Sequence, residues 1–278
     1  MNVAYHPHER WPRRTVTALP PHPAFAPLHA LGLAAWLCAD RGIDSLASML
    51  ASSSPPVTNA GGLPVRPVAG APGTRAEAYE RSVYERGELP VRPEAWHDRF
   101  NVAAWRMFPR TKAVLNAGHV AELDRQESPV RSRRRDAFTA LDEEGLVIAC
   151  ADPILETCVR EFRWRELFVT HRSRVCESFE AVVLGHALLE KLLDPFLGIT
   201  GKAVFVAVPR IYFGAPWRLK LALLDIGASD AAVHLEAPGA LAPLPVLGLP
   251  GWWPANESPT FYDDTDHFRT GRRRDPIR

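Results

Sequence analysis

Leu241-Ala-Pro-Leu-Pro-Val-Leu-Gly-Leu-Pro-Gly-Trp-Trp-Pro254 is the stretch whose reading decides how this chain is organised. Proline recurs too often for a helix, because each one removes a backbone donor and clashes with the preceding turn. The segment is nonetheless strongly apolar and ends in paired indoles, unlike a chain that stays disordered for want of groups to bury. It reads as an extended segment lying back on the body of the protein, docked by Trp252 and Trp253. A tail that returns in this way implies one globular domain, residues 25–268, rather than two. Residues 1–24 then read as a flexible amino-terminal segment and 269–278 as a flexible basic tail. A Ser-, Pro- and Gly-rich loop or linker falls at 52–73.

Outward from the tail, local signals predict a mostly helical α+β domain with a small β-hairpin or sheet. Two helices are expected over 25–51, broken near Arg41 and Gly42. Others are expected over 75–86, ending at Gly87, over 93–108, between Pro93 and Pro109, and over 110–124. Ala137–Leu141 and Leu146–Ala151 flank Asp142-Glu143-Glu144-Gly145 and read as a β-hairpin. Further helices are expected at 152–162, 178–193 and 216–225. Ala203–Val208 reads as a buried strand, and Leu63–Val68 as a short edge strand.

Composition narrows the function classes. Apolar residues make up 46% of the 278, enough for a substantial core. The 33 basic and 32 acidic residues leave a net charge of +1, which argues against a nucleic-acid partner, whose phosphates call for a basic excess. Arginines cluster at Arg131 and Arg133–Arg135 and again at Arg272–Arg274. With only four lysines in the chain, these runs fit a coding bias and read as solvated loop and tail charge. The first fifteen residues are polar and His-rich rather than signal-like, and no apolar run reaches the roughly eighteen residues of a membrane span. A cytoplasmic protein is expected. Cys38, Cys150, Cys158 and Cys176 show no C-x-x-C spacing and read as reduced thiols.

Two constellations carry possible chemistry. On the helix beginning near Pro93, His97 and Asn101 share a face with Phe100, Ala104, Trp105 and Phe108; Asp98 is their neighbour. On the next helix Lys112, Asn116 and His119 share a face, so the corner at Pro109 can bring His97, Asn101, Lys112 and Asn116 together. Either this is a buried hydrogen-bond network that fixes the corner or it is a site. In the second constellation His186 and Glu190 stand four apart on an apolar helix, where their side chains can meet. They are a candidate acid–base pair or two ligands of a metal, or else a helix-stapling contact. A third group, Asp263-Asp264-Thr265-Asp266-His267, is better explained by N-capping of a short terminal helix than by cation binding. The nucleophile elbow, the phosphate-binding loop and the dinucleotide fingerprint are absent.

The block His97-Asp98-x-Phe100-Asn101-x-x-x-Trp105-x-x-Phe108-Pro109-x-Thr111-Lys112-x-x-Leu115-Asn116 resembles the core signature of a bacterial family catalogued only as domain of unknown function 3025. Similar blocks follow in order: Arg135-Asp136-Ala137 with Thr139 and Asp142-Glu143-x-Gly145, then Gly185 to Leu192, then Leu244 to Asn256 with Phe261 to Asp264. The resemblance runs from about residue 75 to the end. One departure, Val102-Ala103-Ala104, touches packing and leaves the polar positions intact. The family name carries no reaction, cofactor or partner.

The leading expectation from these residues is an enzyme using general acid–base or hydrolytic chemistry on a small molecule. Its candidate site residues are His97, Asp98, Asn101, Lys112, Asn116, His186 and Glu190. In this reading His97 or His186 carries the proton, Glu190 or Asp98 orients it, and Asn101 and Lys112 hold an anionic or carbonyl group. The cofactor and any metal are undetermined by sequence. The reading requires His97 and His186 to lie within about 10 Å of each other on a common pocket. One alternative is a non-catalytic adaptor that contacts a protein partner through an exposed Trp252–Trp253 patch. A weaker one is a metal-dependent nuclease of the His/Asn type using His97, Asn101, Asn116 and His119.

Overall fold

Gly145-Leu-Val-Ile-Ala-Cys150 is buried along its whole length, the pattern of a strand covered on both faces. A computed structural model of the chain describes residues 18–38, 42–71, 73–126 and 130–271, and this strand is at its centre. In chain order the elements are α1 (Ala26–Ala30), α2 (Leu33–Cys38), α3 (Gly42–Ala51), β1 (Arg66–Ala69), α4 (Ala76–Arg86) and β2 (Glu88–Val91). Next come α5 (Trp96–Met107), α6 (Pro109–Asp124), α7 (Arg133–Glu144), β3 (Gly145–Cys150), α8 (Pro153–Arg160) and α9 (Arg172–Ser178). The last are β4 (Phe179–Val183), α10 (His186–Lys191), β5 (Thr200–Ala207), α11 (Trp217–Val233) and β6 (Ala242–Pro245). They form a mostly helical α+β domain.

The main sheet has the order β4-β3-β5-β6. β3 pairs antiparallel with β4 and parallel with β5, and β5 pairs antiparallel with β6. Because β4 runs against β3, the end of β4 lies beside the start of β3, with Leu146 opposite Val183. Leu184 and Gly185 both donate their backbone N–H to Gly145 O. The C-terminus of α7 and the N-terminus of α10, forty residues apart in sequence, therefore meet at one end of the sheet. α5 packs on α10 there. A second, two-stranded parallel sheet pairs β1 with β2 beside α4, whose last turn is closed by Gly87 at φ 67°, a left-handed conformation that glycine adopts without strain.

The C-terminal segment lies on the body as expected, with β6 completing the sheet. Trp252 is buried and Trp253 half-buried. Asn256 is fully buried and donates to Leu247 O and Leu249 O. Residues 1–17 and 272–278 lie outside the described residues, and the Arg272–Arg274 cluster with them. Within the rest of the amino-terminal segment, Leu19 and Ala24 are buried, and His22 bonds Trp252 O. This portion is therefore packed rather than flexible.

Three sequence expectations change. Residues 137–151 do not form a hairpin: 133–144 is helix α7, capped by the Ser132 side chain accepting from Arg135 N. Ala137, Phe138 and Leu141 are buried at helical spacing, and only the second half is a strand. The helix expected over 178–193 is strand β4, then a Gly185 break, then the short α10; a continuous apolar run reads equally as buried strand or helix, and pairing with β3 selects the strand. Arg135, expected to be solvated, is buried.

Candidate active site

The helix α5 is entered through Arg92-Pro93, and the turn folds Arg92 back onto Asp98. Backbone N, Nε and one terminal guanidinium nitrogen of Arg92 all donate to the Asp98 carboxylate, at 2.8, 2.8 and 2.9 Å. Burial alone would push the Asp98 carboxyl up, but these bonds and one from His97 hold it well below the usual carboxylate range. Asp98 thus stays charged and contacts Nδ1 of His97 at 3.2 Å. The other ring nitrogen of His97, Nε2, lies 3.2 Å from Glu143 Oε2 at the end of α7. With a carboxylate at each nitrogen, first Asp98 and then Glu143, the imidazole pKa is raised to about 9 against the cost of burial.

His186, at the start of α10, meets the same carboxylate oxygen from the other side, its Nε2 3.2 Å from Glu143 Oε2. The rings of His97 and His186 are 4.4 Å apart and nearly perpendicular, far inside the 10 Å that a shared site requires. Burial lowers the His186 pKa to about 4 although Asp142 opposes it. Its Nδ1 is buried, makes no hydrogen bond and lies 4.0 Å from Asp142 Oδ2. Asp142 is held in turn by Lys112, only 3% exposed, whose Nζ donates to it and to Asn101 Oδ1. Burial, the largest single influence, would raise the Asp142 carboxyl, but the Lys112 charge and hydrogen bond together with the neighbouring histidines outweigh it and the net direction is down. Glu143 is also lowered: burial opposes, and the His97 bond and the His186 charge prevail.

Arg92, His97, Asp98, Asn101, Asp142, Glu143 and His186 line a cavity of about 440 Å³, within the range of small-ligand sites. Arg131, Arg135 and His119 line it as well. Arg131 is paired with Asp136; Arg135 donates to Gln126 and has no acidic partner among the described residues, and its Nε is buried without a hydrogen bond.

Of the residues expected from sequence, His97, Asp98, Asn101, Lys112 and His186 are brought together. Asn116 does not line the main cavity: it stands with Lys112 and Asp142 on a small adjoining one and donates to the backbone and carboxylate of Glu80. Glu190 is exposed, so the buried His186–Glu190 pair does not form. α10 is only six residues long, and its inward-facing His186 finds carboxylates on α7 instead. No terminal helix follows Asp263–His267 among the described residues; Asp264 Oδ1 instead caps a turn, accepting from the backbone of Asp266 and His267.

The sequence profile of a family described as protein of unknown function, DUF3025, matches residues 66–272. The chain belongs to that family. The DUF3025 span contains every residue of the cavity cluster, and it leaves out α1 to α3. No curated protein and no solved structure matches the chain. Among the described residues, no helix is long and apolar enough to cross a membrane.

Sequence reasoning missed Glu143, the residue on which both histidines converge, and with it Asp142, Arg92 and Arg135. The hairpin reading puts Asp142-Glu143 in a turn and both carboxylates in solvent. The available signal was the helical spacing of Ala137, Phe138 and Leu141, which continues α7 up to Glu144. Arg92 stands before a proline and reads locally as an extended connector.

Proposed function

We propose that this DUF3025 protein is an enzyme that hydrolyses a small anionic substrate at the His97–Glu143–His186 cluster. The observation that carries the reading is a single one: Glu143 Oε2 stands 3.2 Å from Nε2 of both histidines on the wall of the cavity. Two imidazoles and a carboxylate at such distances can hold a water and take its proton as it attacks. Their positions are fixed from behind, His97 by Asp98 and Arg92, and the Asp142 beside His186 by Lys112 and Asn101. Such backing is the structural requirement for a preorganised site. Arg135, which lines the same cavity and has no salt-bridge partner among the described residues, supplies a charge for an anionic group of the substrate. Lys112 acts as a positioning residue in this reading, because it does not line the cavity and donates to both Asp142 and Asn101 from behind.

The adaptor alternative loses its main support, since Trp252 is buried and offers no exposed indole pair. No observation favours the nuclease alternative: Asn116 is engaged by Glu80, and His97, Asn101, Asn116 and His119 all stand on helices.

The test is a hydrolysis screen of the purified chain with chromogenic phosphomonoesters, phosphodiesters, carboxylic esters and amides. Turnover of at least one class is expected, with Glu143→Gln lowering kcat on the order of 100-fold or more while the circular dichroism spectrum is retained. The surface variant Asp124→Asn should match the wild type. Equal turnover by wild type and Glu143→Gln would sink the reading.

A further inference from the structure

We infer that His97 Nε2, His186 Nε2 and the Glu143 carboxylate form a three-ligand site for a divalent transition-metal ion of the zinc class, open to the cavity at a fourth position. The inference rests on the hydrolase reading for its location but not for its evidence, which is geometric.

The donor atoms of the three side chains all lie within 4.8 Å of one another, and the two shortest separations are 3.2 Å. Two ligands bound about 2.0–2.1 Å from one tetrahedral ion stand roughly 3.4 Å apart. The spacing therefore fits atoms directed at a shared ion. His186 makes the point most clearly. Its Nε2 approaches Glu143 within 3.2 Å but does not form a hydrogen bond of good geometry, and its buried Nδ1 has no hydrogen-bond partner.

The surrounding groups have the arrangement that metal sites use. A ligating histidine usually presents its other nitrogen to a carboxylate, which fixes the ring and raises its basicity. Asp98 stands in this position for His97, at 3.2 Å, and Asp142 faces His186 Nδ1 at 4.0 Å. The charges agree. Asp98 is paired with Arg92 and Asp142 with Lys112, whereas Glu143 has no lysine or arginine partner among the described residues. Glu143 is thus the one carboxylate of the group whose only ion-pair partners among the described residues are the two imidazoles. Two histidines, one carboxylate and a free position facing a cavity is the donor set of catalytic zinc and of related divalent centres. An ion there would leave a net positive charge toward the cavity, in keeping with an anionic substrate at Arg135, and would lower the pKa of its bound water.

A second group, Cys158, Glu166 and His171, also places donor atoms within 4.8 Å of one another, so the test must separate the two. The chain is stripped with a chelator, dialysed, and titrated with Zn²⁺ by calorimetry; elemental analysis then counts bound metal. One ion per chain is expected for the wild type and for Cys158→Ser. His186→Ala and Glu143→Gln are expected to weaken binding at least 100-fold. If His186→Ala does not fold, the half-buried His97→Gln replaces it. Absence of stoichiometric Zn²⁺, Mn²⁺ or Fe²⁺ from the wild type overturns the inference, as does binding that survives loss of His186 or Glu143, or that disappears in Cys158→Ser alone. Failure to bind metal together with hydrolysis that depends on Glu143 would refute the metal site and leave the hydrolase reading standing. Metal binding without hydrolysis of any substrate class would do the reverse.

Discussion

Glu80 illustrates how a single residue records the electrostatics of the cavity. Burial raises its carboxyl pKa to about 7 despite the bond from Asn116. Since the folded pKa lies above the ordinary value, the neutral acid is the form that favours the fold. That contribution is complete below about pH 4.5 and is lost as the pH rises through about 7. Glu80→Gln keeps an oxygen for Asn116 and removes the charge. The variant should be more stable than the wild type by about 1–3 kcal/mol at pH 8 and nearly equal to it at pH 4.5. Urea unfolding at both pH values checks this; parallel profiles for the two proteins would contradict it. The residue scale was partly legible in sequence. A polar group on an apolar helix face signals a network because an unpaired one costs on the order of 1–3 kcal/mol, and this singled out His97, Asn101, Lys112 and His186. It could not supply their partners. Glu143 is amphipathically unremarkable, and nothing in a linear pattern indicates which carboxylate will lie 3.2 Å from a histidine forty residues away.

At the scale of elements, the site exists because α7, β3, β4 and α10 meet at two glycines. A Cβ on Gly185 would fall 2.4 Å from Gly145 N and 2.5 Å from Glu143 O, backbone atoms that cannot yield without moving the junction. Gly185→Ala should therefore cost about 1–3 kcal/mol, as overpacking does, and shift His186 away from Glu143. The expected readouts are a lower urea midpoint and a loss of Zn²⁺ affinity of at least tenfold. Unchanged affinity in a folded variant would show that the close approach does not position the histidine. This is also the scale at which sequence reading failed most. Helices α4, α5 and α6 were legible because Gly87, Pro93 and Pro109 punctuate them. The boundary between α7 and β3 is marked by Gly145, but a glycine there fits a hairpin turn as well as a helix end, and Phe179–Val183 is apolar apart from Glu180. In such runs the local chain energy of strand and helix is close, and hydrogen-bond pairing with β3 makes the difference.

For the whole molecule, the tail binds the two ends of the described chain together. Trp252 packs edge-on to His22, with ring centroids 5.2 Å apart, while its carbonyl accepts from His22 Nε2 at 2.8 Å. Trp252→Ala should destabilise the protein by about 3–5 kcal/mol, in a single unfolding transition monitored by both fluorescence and circular dichroism. Separate transitions for the two signals would mean that the tail docks on a body that folds without it. The sequence by itself determined the helical α+β character, the return of the Pro- and Trp-rich segment, the family signature, and a set of polar residues with reasons to be buried. These follow from local rules: periodicity, backbone chemistry and the cost of burying a polar group. Only the tertiary structure decided that His97 and His186 share Glu143, that Glu190 faces solvent, and that Arg135 reaches the cavity. Those outcomes depend on which strand pairs with which, and the antiparallel run of β4 against β3 is what carries α10 back to the end of α7.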